Sequence, residues 1–228
     1  MIETGKQRIL IIAPHSDDEI LGCGGLIEKA CRFKNQVKVV IGAIGDIRFE
    51  HKIKEIVTAR TRENELKNAL SLLGCTEYDI LYRSHESFLD TIPMNEIVTK
   101  LDTIINGFLP TMVFIPYPSF HQDHQVLFRA CMSALRPAPN KSYQLIAMFE
   151  YPLMVWQYPK INEAGELYLD ISKSIDMKIH ALNKHTSQIR EPSHLISPES
   201  VKKWAEKRGM EMGCNYAEKY YILKMFLL

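Results

Sequence analysis

Two short clusters in the sequence carry residue types that hold metal ions. His15-Ser16-Asp17-Asp18-Glu19 directly follows the apolar run Arg8-Ile9-Leu10-Ile11-Ile12-Ala13-Pro14, and His121-Gln122-Asp123-His124 follows Thr111-Met112-Val113-Phe114-Ile115-Pro116. Short apolar runs bounded by turn residues read as buried strands, so each cluster sits where a strand ends. In a parallel α/β sheet the carboxyl ends of the strands open into one crevice, where segments distant in sequence can meet. A catalytic zinc takes about three protein ligands from His and Asp/Glu and keeps a position for water. His15-x-x-Asp18 supplies two ligands within one tight turn, and a histidine of the second cluster completes a His-Asp-His set. Asp17, adjacent but pointing elsewhere, is then free to take a proton from water that the cation acidifies.

Each cluster alone has a plainer reading. Pro14-His15-Ser16-Asp17-Asp18-Glu19 could be a polar loop at a helix start, where Asp suits the macrodipole. His121-Gln122-Asp123-His124 could be a surface helix start with Asp123 as N-cap. Their joint placement after two strands favours the metal reading.

The elements that position them alternate. Residues 22–34 have helical spacing (Leu26, Ile27, Ala30, Phe33), and 37–41 read as a second strand, which makes one βαβ unit. A helix over 54–73 ends at Gly74, a strand follows over 78–82, and a helix covers 94–105. The strand at 111–115 leads into a helix over 123–135. This alternation predicts a Rossmann-like three-layer α/β/α sandwich with a mostly parallel sheet. After Pro137-Ala138-Pro139-Asn140 the pattern loosens: a strand over 143–149, an irregular stretch over 151–165, and a helix over 172–186. Ser197-Pro198-Glu199 opens a helix running to Gly209, and 216–226 reads as a final helix. We expect one domain over 1–228, with a parallel core at 1–136 and a smaller substrate-facing C-terminal lobe at 137–228.

Composition narrows the function class. The 28 basic and 27 acidic residues nearly cancel, leaving no basic field for sequence-independent nucleic-acid binding. No apolar run approaches a membrane span, and the first residues lack a signal-peptide core, so a cytoplasmic location is expected. The five cysteines are odd in number, widely spaced and without a CxxC pair. That argues against a disulfide framework or thiolate zinc site and for free thiols in or near the core.

With its glycine-rich continuation Ile20-Leu21-Gly22-Cys23-Gly24-Gly25, the first cluster resembles the PHPDDE signature of the zinc-dependent N-deacetylases. This is the PIG-L/LmbE-like family typified by the glycosylphosphatidylinositol de-N-acetylase and the bacterial deacetylases of mycothiol and bacillithiol synthesis. His121-Gln122-Asp123-His124 is similar to that family's HPDH. Supporting pieces are Arg62-x-x-Glu65 with Ala69 and Leu73-Gly74, His185-Thr186-Ser187-Gln188, Arg208-Gly209 and Tyr216-Ala217-Glu218. The resemblance implies that His15, Asp18 and His124 bind the metal and that Asp17 is the general base. It also implies that His121 stabilises the oxyanion or protonates the leaving amine, with Asp123 fixing its orientation. Arg62 would contact substrate oxygens, and His185 would line the pocket. Ser16 and Gln122 stand where the family has prolines, which removes backbone stiffness but no ligand.

The implied activity is removal of acetyl from an N-acetylglucosamine-type amino sugar or its conjugate, with Zn2+ as cofactor and Fe2+ or Mn2+ as alternatives. An amidase acting on a non-sugar amide, or a lapsed enzyme that only binds metal or sugar, are the competing readings. The intact Asp17 speaks against lapse. The implied partner is a small acetylated sugar, with homo-oligomerisation a common default. Gly22-x-Gly24-Gly25 fails the dinucleotide GxGxxG spacing, and the acidic loop before it would repel pyrophosphate. Trp156 and Tyr158 read as packing residues more often than as sugar-stacking ones, although aromatic side chains suit carbohydrate faces. His51, His85, His180 and His194 have no partner pattern. Specificity is expected from the loops over 49–58, 84–93 and 149–165.

Overall fold

The computed structural model describes residues 1–48, 56–138, 141, 143–156 and 165–226. Seven strands, β1 (Arg8–Ala13), β2 (Gln36–Ala43), β3 (Glu77–Tyr82), β4 (Met112–Pro116), β5 (Leu145–Phe149), β6 (Gly165–Asp170) and β7 (Ala217–Met225), form one sheet. Its order is β3-β2-β1-β4-β5-β7-β6. β1 to β5 are mutually parallel, whereas β7 runs antiparallel to β5 and β6. Among the described residues six α-helices complete the layers: α1 (Asp18–Arg32), α2 (Ala59–Leu72), α3 (Met94–Phe108), α4 (Gln122–Ala134), α5 (Ile175–Leu182) and α6 (Pro198–Met212). α3 packs on α4, while α1 and α2 share neighbours with α5, which also meets α6. Right-handed crossovers put these two groups on opposite faces of the sheet. No helix among the described residues is long and apolar enough to cross a membrane.

Burial on both faces explains the unbroken apolar runs of β1 and β4. Ile9 to Ala13 and Val113 to Ile115 are essentially inaccessible, as strands of a parallel sheet covered on both sides must be. β1 lies between β2 and β4, with Ile9 opposite Met112 and Ile11 opposite Phe114. After β1 the chain winds outward through β2 and β3, then crosses back to place β4 on the other side of β1. The strand order therefore reverses between β1 and β4, and such a reversal opens a crevice at the strands' carboxyl ends. Both motif loops leave from that point.

Local signals account for the helix ends. Thr58 caps α2 by accepting from the Thr61 amide. Ser197 caps α6 from the Ser200 amide, with Pro198 at the first turn and Gly213 at φ 74 closing the far end. The glycines of α1 serve close packing: a Cβ on Gly22 would lie 2.2 Å from the Phe149 ring, and one on Gly25 would lie 2.5 Å from Ile171 Cγ2. No dinucleotide loop is involved.

Several expectations about the elements need correction. The segment expected as a final helix over 216–226 is strand β7. Its Tyr220-Tyr221-Ile222 stretch favours a pleated surface, and Glu218 and Lys219 at its start are buried rather than solvated. β6 was not anticipated; it pairs with β7 from Gly165↔Ile222 to Asp170↔Ala217, so the last third of the chain extends the same sheet. The helix expected over 172–186 is the shorter Ile175–Leu182. The helix expected to start at Lys54 begins at Ala59, and 54 itself lies outside the described residues. His51, Tyr158, the Trp156 side chain and parts of the 49–58 and 149–165 loops also lie outside them.

β7 is stitched into α1. The Glu218 carboxylate accepts the Gly25 and Leu26 amides at 2.7 and 2.9 Å and pairs with Lys178 Nζ at 2.6 Å. Lys178 in turn donates to the Leu21 carbonyl at 2.9 Å.

Candidate metal centre

The β1–α1 loop brings His15 and Asp18 to the crevice, and the β4–α4 loop brings His121, Asp123 and His124. The donor atoms of His15, Asp18 and His124 lie within 4.8 Å of one another, all three residues being buried. Asp18 Oδ2 stands 3.4 Å from His15 Nδ1 and 3.3 Å from His124 Nε2. Donors held about 2.0–2.1 Å from one tetrahedral ion stand about 3.3–3.4 Å apart. The residues therefore fit a divalent cation. A second grouping, His15, His121 and Asp123, also meets the distance criterion. Its acceptors are already engaged: Asp123 takes three donors, described below, and His121 Nδ1 accepts from the Asp123 amide at 3.2 Å.

His15 is held from both sides. Its Nε2 contacts the Asp123 carboxylate at 2.9 Å while Nδ1 faces Asp18. Burial opposes charge on the ring, yet the hydrogen bond it donates to Asp123, reinforced by Asp18, lifts its pKa to about 9. Burial likewise opposes charge on Asp18, but His124 and His15 hold its carboxyl well below the usual carboxylate range. The two carboxylates draw positive charge to this point, and a divalent cation answers the same demand. A carboxylate on the far nitrogen of a metal-binding histidine is the usual arrangement for fixing the ring and raising its basicity.

The Asp123 carboxylate faces His15, and its amide faces His121. Its carboxylate, fully buried, accepts the Ser87 amide at 2.6 Å and the Leu89 amide at 3.0 Å besides His15. It orients His121 only through its own backbone N–H, and His121, not Asp123, is the N-cap of α4. With Nδ1 accepting, His121 carries its proton on Nε2. Burial, followed by the neighbouring His15 and His124, pushes its pKa down to about 4, so the ring is neutral rather than cationic. Gln122, standing where the family has proline, donates to the Ser87 carbonyl at 2.8 Å and ties the 84–91 loop to α4.

Asp123→Ala is expected to destabilise the fold by about 3 kcal/mol, because two buried amides lose their acceptor, and to weaken metal binding about 10–100-fold. Urea unfolding and metal titration check this. Metal affinity within twofold of the parent would show that Asp123 does not support His15.

Asp17 is the one acidic side chain of the first motif not committed to a donor. It caps α1 with φ 134 and ψ −31, backbone that non-glycine residues adopt only when their surroundings impose it. Glu19 imposes it from one side: its carboxylate accepts the Asp17 amide at 2.8 Å. Burial first, and then the adjacent Asp18 charge, raise the Asp17 pKa to about 7. A carboxylate poised near neutrality beside a cation site has the properties of a general base.

Two residues expected to contact substrate are buried against protein partners. Arg62 is 1% exposed; its Nη1 pairs with Glu86 and its Nη2 donates to the Ser16 carbonyl at 3.1 Å. His185 is fully buried, with Nε2 on Glu19 at 2.9 Å and Nδ1 3.4 Å from Ser16 Oγ. Both hold the motif loop from behind. Glu65 fixes the same turn by accepting Thr186 Oγ1, the Ser187 amide and Ser187 Oγ at 2.5, 2.8 and 2.6 Å.

Residues that sequence reasoning passed over complete the wall. Tyr151 stacks on His124 with ring centroids 5.0 Å apart and donates to Ser119 Oγ at 2.7 Å. Nothing local marks Tyr151, which the strand β5 delivers from elsewhere in the chain. Glu19 lies inside the motif, but its role depends on His185, which no spacing reveals.

Residues 10–135 match the family model described as PIG-L, GlcNAc-PI de-N-acetylase. A Bacillus cereus protein described as "Probable N-acetyl-alpha-D-glucosaminyl L-malate deacetylase 2" is 25% identical over 80% of this chain and 84% of its own length. The structure of the N,N'-diacetylchitobiose deacetylase from Pyrococcus horikoshii superposes with a TM-score of 0.74 at 23% identity, covering 94% of this chain and 83% of that one. GalB, the 4-carboxy-2-hydroxymuconate hydratase of Pseudomonas putida, superposes at 0.76 with 18% identity over 96% and 97% of the two chains. Likenesses at that level show a shared fold, and a shared fold hosts different chemistries.

Proposed function

The chain belongs to the PIG-L family of GlcNAc-PI de-N-acetylases, and from that premise we propose that it is a zinc-dependent hydrolase. It removes the acetyl group from an N-acetylamino sugar or its conjugate, releasing acetate and a free amine. The observation that carries this reading is Asp17, raised in pKa and free of a fixed donor, beside the His15, Asp18 and His124 donor set. The N-acetylglucosaminyl substrate in the name of the Bacillus cereus relative supports the sugar class.

His15, Asp18 and His124 would hold the ion, and two nitrogens with one carboxylate oxygen suit zinc, with Fe2+ or Mn2+ as alternatives. When bound, the cation acidifies water and polarises the acetamide carbonyl. Asp17 takes the proton of the attacking water as the oxygen closes on the carbonyl carbon. His121, its proton on Nε2, donates a hydrogen bond where negative charge develops; one such donor contributes about 3 kcal/mol. Asp17 then returns its proton to the nitrogen as the C–N bond breaks. Asp123 acts through His15 and through its own amide on His121. Arg62 and His185 keep the loop in place. We read residues 1–228 as one catalytic domain, working in the cytoplasm, where its free cysteines stay reduced.

The test is acetate release from N-acetylglucosamine conjugates. Acetate and amine are expected in equal amounts, lost on chelation and restored by zinc. Saturable sugar binding without acetate would make the protein a binder. Cleavage of non-sugar amides alone would move the substrate class.

A further inference from the structure

Far from the metal centre, two cysteines form a pair that the sequence spacing conceals. Cys31 lies in the last turn of α1 and Cys75 in the turn that enters β3. Both positions are at the strands' amino ends, because α1 runs from the carboxyl end of β1 back to the start of β2. The two thiols are near enough to shift one another's titration. Cys75 Sγ also lies 3.5 Å from the Val37 carbonyl and 3.6 Å from the Glu77 carbonyl. The backbones are close as well: a Cβ on Gly74, the residue before Cys75, would stand 3.2 Å from Cys31 Cβ. Cys75 is buried, whereas Cys31 is half-buried and open to solvent on one side. Cys23 and Cys131 are inaccessible.

We propose that Cys31 and Cys75 are a reversible oxidation site that closes to an intramolecular disulfide on exposure to a hydroperoxide. The Cys31 thiolate attacks the terminal peroxide oxygen. The O–O bond breaks, leaving a sulfenic acid on Cys31 and an alcohol, or water when the oxidant is hydrogen peroxide. The Cys75 sulfur then attacks the Cys31 sulfur and expels hydroxide, which takes the Cys75 proton and departs as water. Two thiols lose two electrons and two protons, and one hydroperoxide gains them. The order follows from exposure: Cys31 meets the oxidant, and Cys75, already in contact behind it, resolves. The neighbouring Cys75 thiol lowers the Cys31 pKa, which raises the thiolate fraction available for attack. Elements already packed against each other need little movement to reach disulfide geometry.

The test is peptide mapping of the protein after hydrogen peroxide. A linked Cys31–Cys75 peptide is expected, about 2 Da lighter than the sum of its two reduced parts and reversed by dithiothreitol. In Cys75→Ser the Cys31 sulfenic acid should persist and be trapped by dimedone. Acetate release should change less than twofold on oxidation, since the pair lies at the opposite end of the sheet from the donor set. Oxidation that falls first on Cys214, or that gives disulfide-linked dimers without the internal link, would overturn the proposal. So would loss of two thiols from Cys75→Ser within one chain.

Discussion

Asp17→Asn is expected to cut turnover about a thousandfold, the scale of a lost general base, while metal content stays at the parent level. The exchange is clean because it alters little besides charge. Asn tolerates positive φ as Asp does, so the strained cap at φ 134 survives. The Ile20 and Leu21 amides still find the Asp17 carbonyl at 3.0 and 2.9 Å. Asp17 is not among the grouped donors, so the ion keeps its ligands. The substitution also removes one of two adjacent buried carboxylates, and the variant should be at least as resistant to urea as the parent. Acetate release, metal analysis and urea unfolding together separate the outcomes. Turnover near the parent value would end the base assignment; lost metal would make Asp17 a ligand.

His124→Ala is expected to lose both the metal and all turnover above background. Two ligands remain of three, and the Tyr151 ring loses the imidazole it stacks on. His121→Ala is the informative partner. If the ion sits among His15, Asp18 and His124, that variant keeps the metal and loses about a hundred- to a thousandfold in turnover, the value of one oxyanion donor. If the ion sits among His15, His121 and Asp123, the two variants exchange behaviours. Equilibrium dialysis of both against zinc decides between them, and stoichiometric zinc in His124→Ala would sink the assignment of His124 as a ligand.

The parts of this arrangement legible in the sequence are those written in short range. Two apolar runs, each followed by His and Asp, point to two strands ending at one crevice, and the Ser197-Pro198 start of α6 is readable from three residues. What was not legible depends on partners far along the chain. The resemblance makes Asp123 the companion of His121, yet its carboxylate turns to His15, and only the β1–β4 pairing makes that contact available. The resemblance makes Arg62 and His185 substrate contacts, and the spacing gives no sign of their burial against Glu86 and Glu19. The β7 segment contains Ala, Glu, Lys, Leu and Met, all good helix formers, and its strand character comes from pairing on both sides, which overrides local propensity.

The place of β7 between β5 and β6 bears on how the molecule is assembled during synthesis. The first helix receives its Glu218 acceptor from a strand some 190 positions later, and β6 has no hydrogen-bonded partner in the sheet until that strand arrives. A ribosome-bound intermediate lacking residues 217–225 exposes the raw edge of β5 and leaves Lys178 without its buried counter-charge. Such long-range closure is slow, and open strand edges invite aggregation. Acquisition of the native state therefore waits on the synthesis of β7, although the metal-binding motifs themselves emerge much earlier.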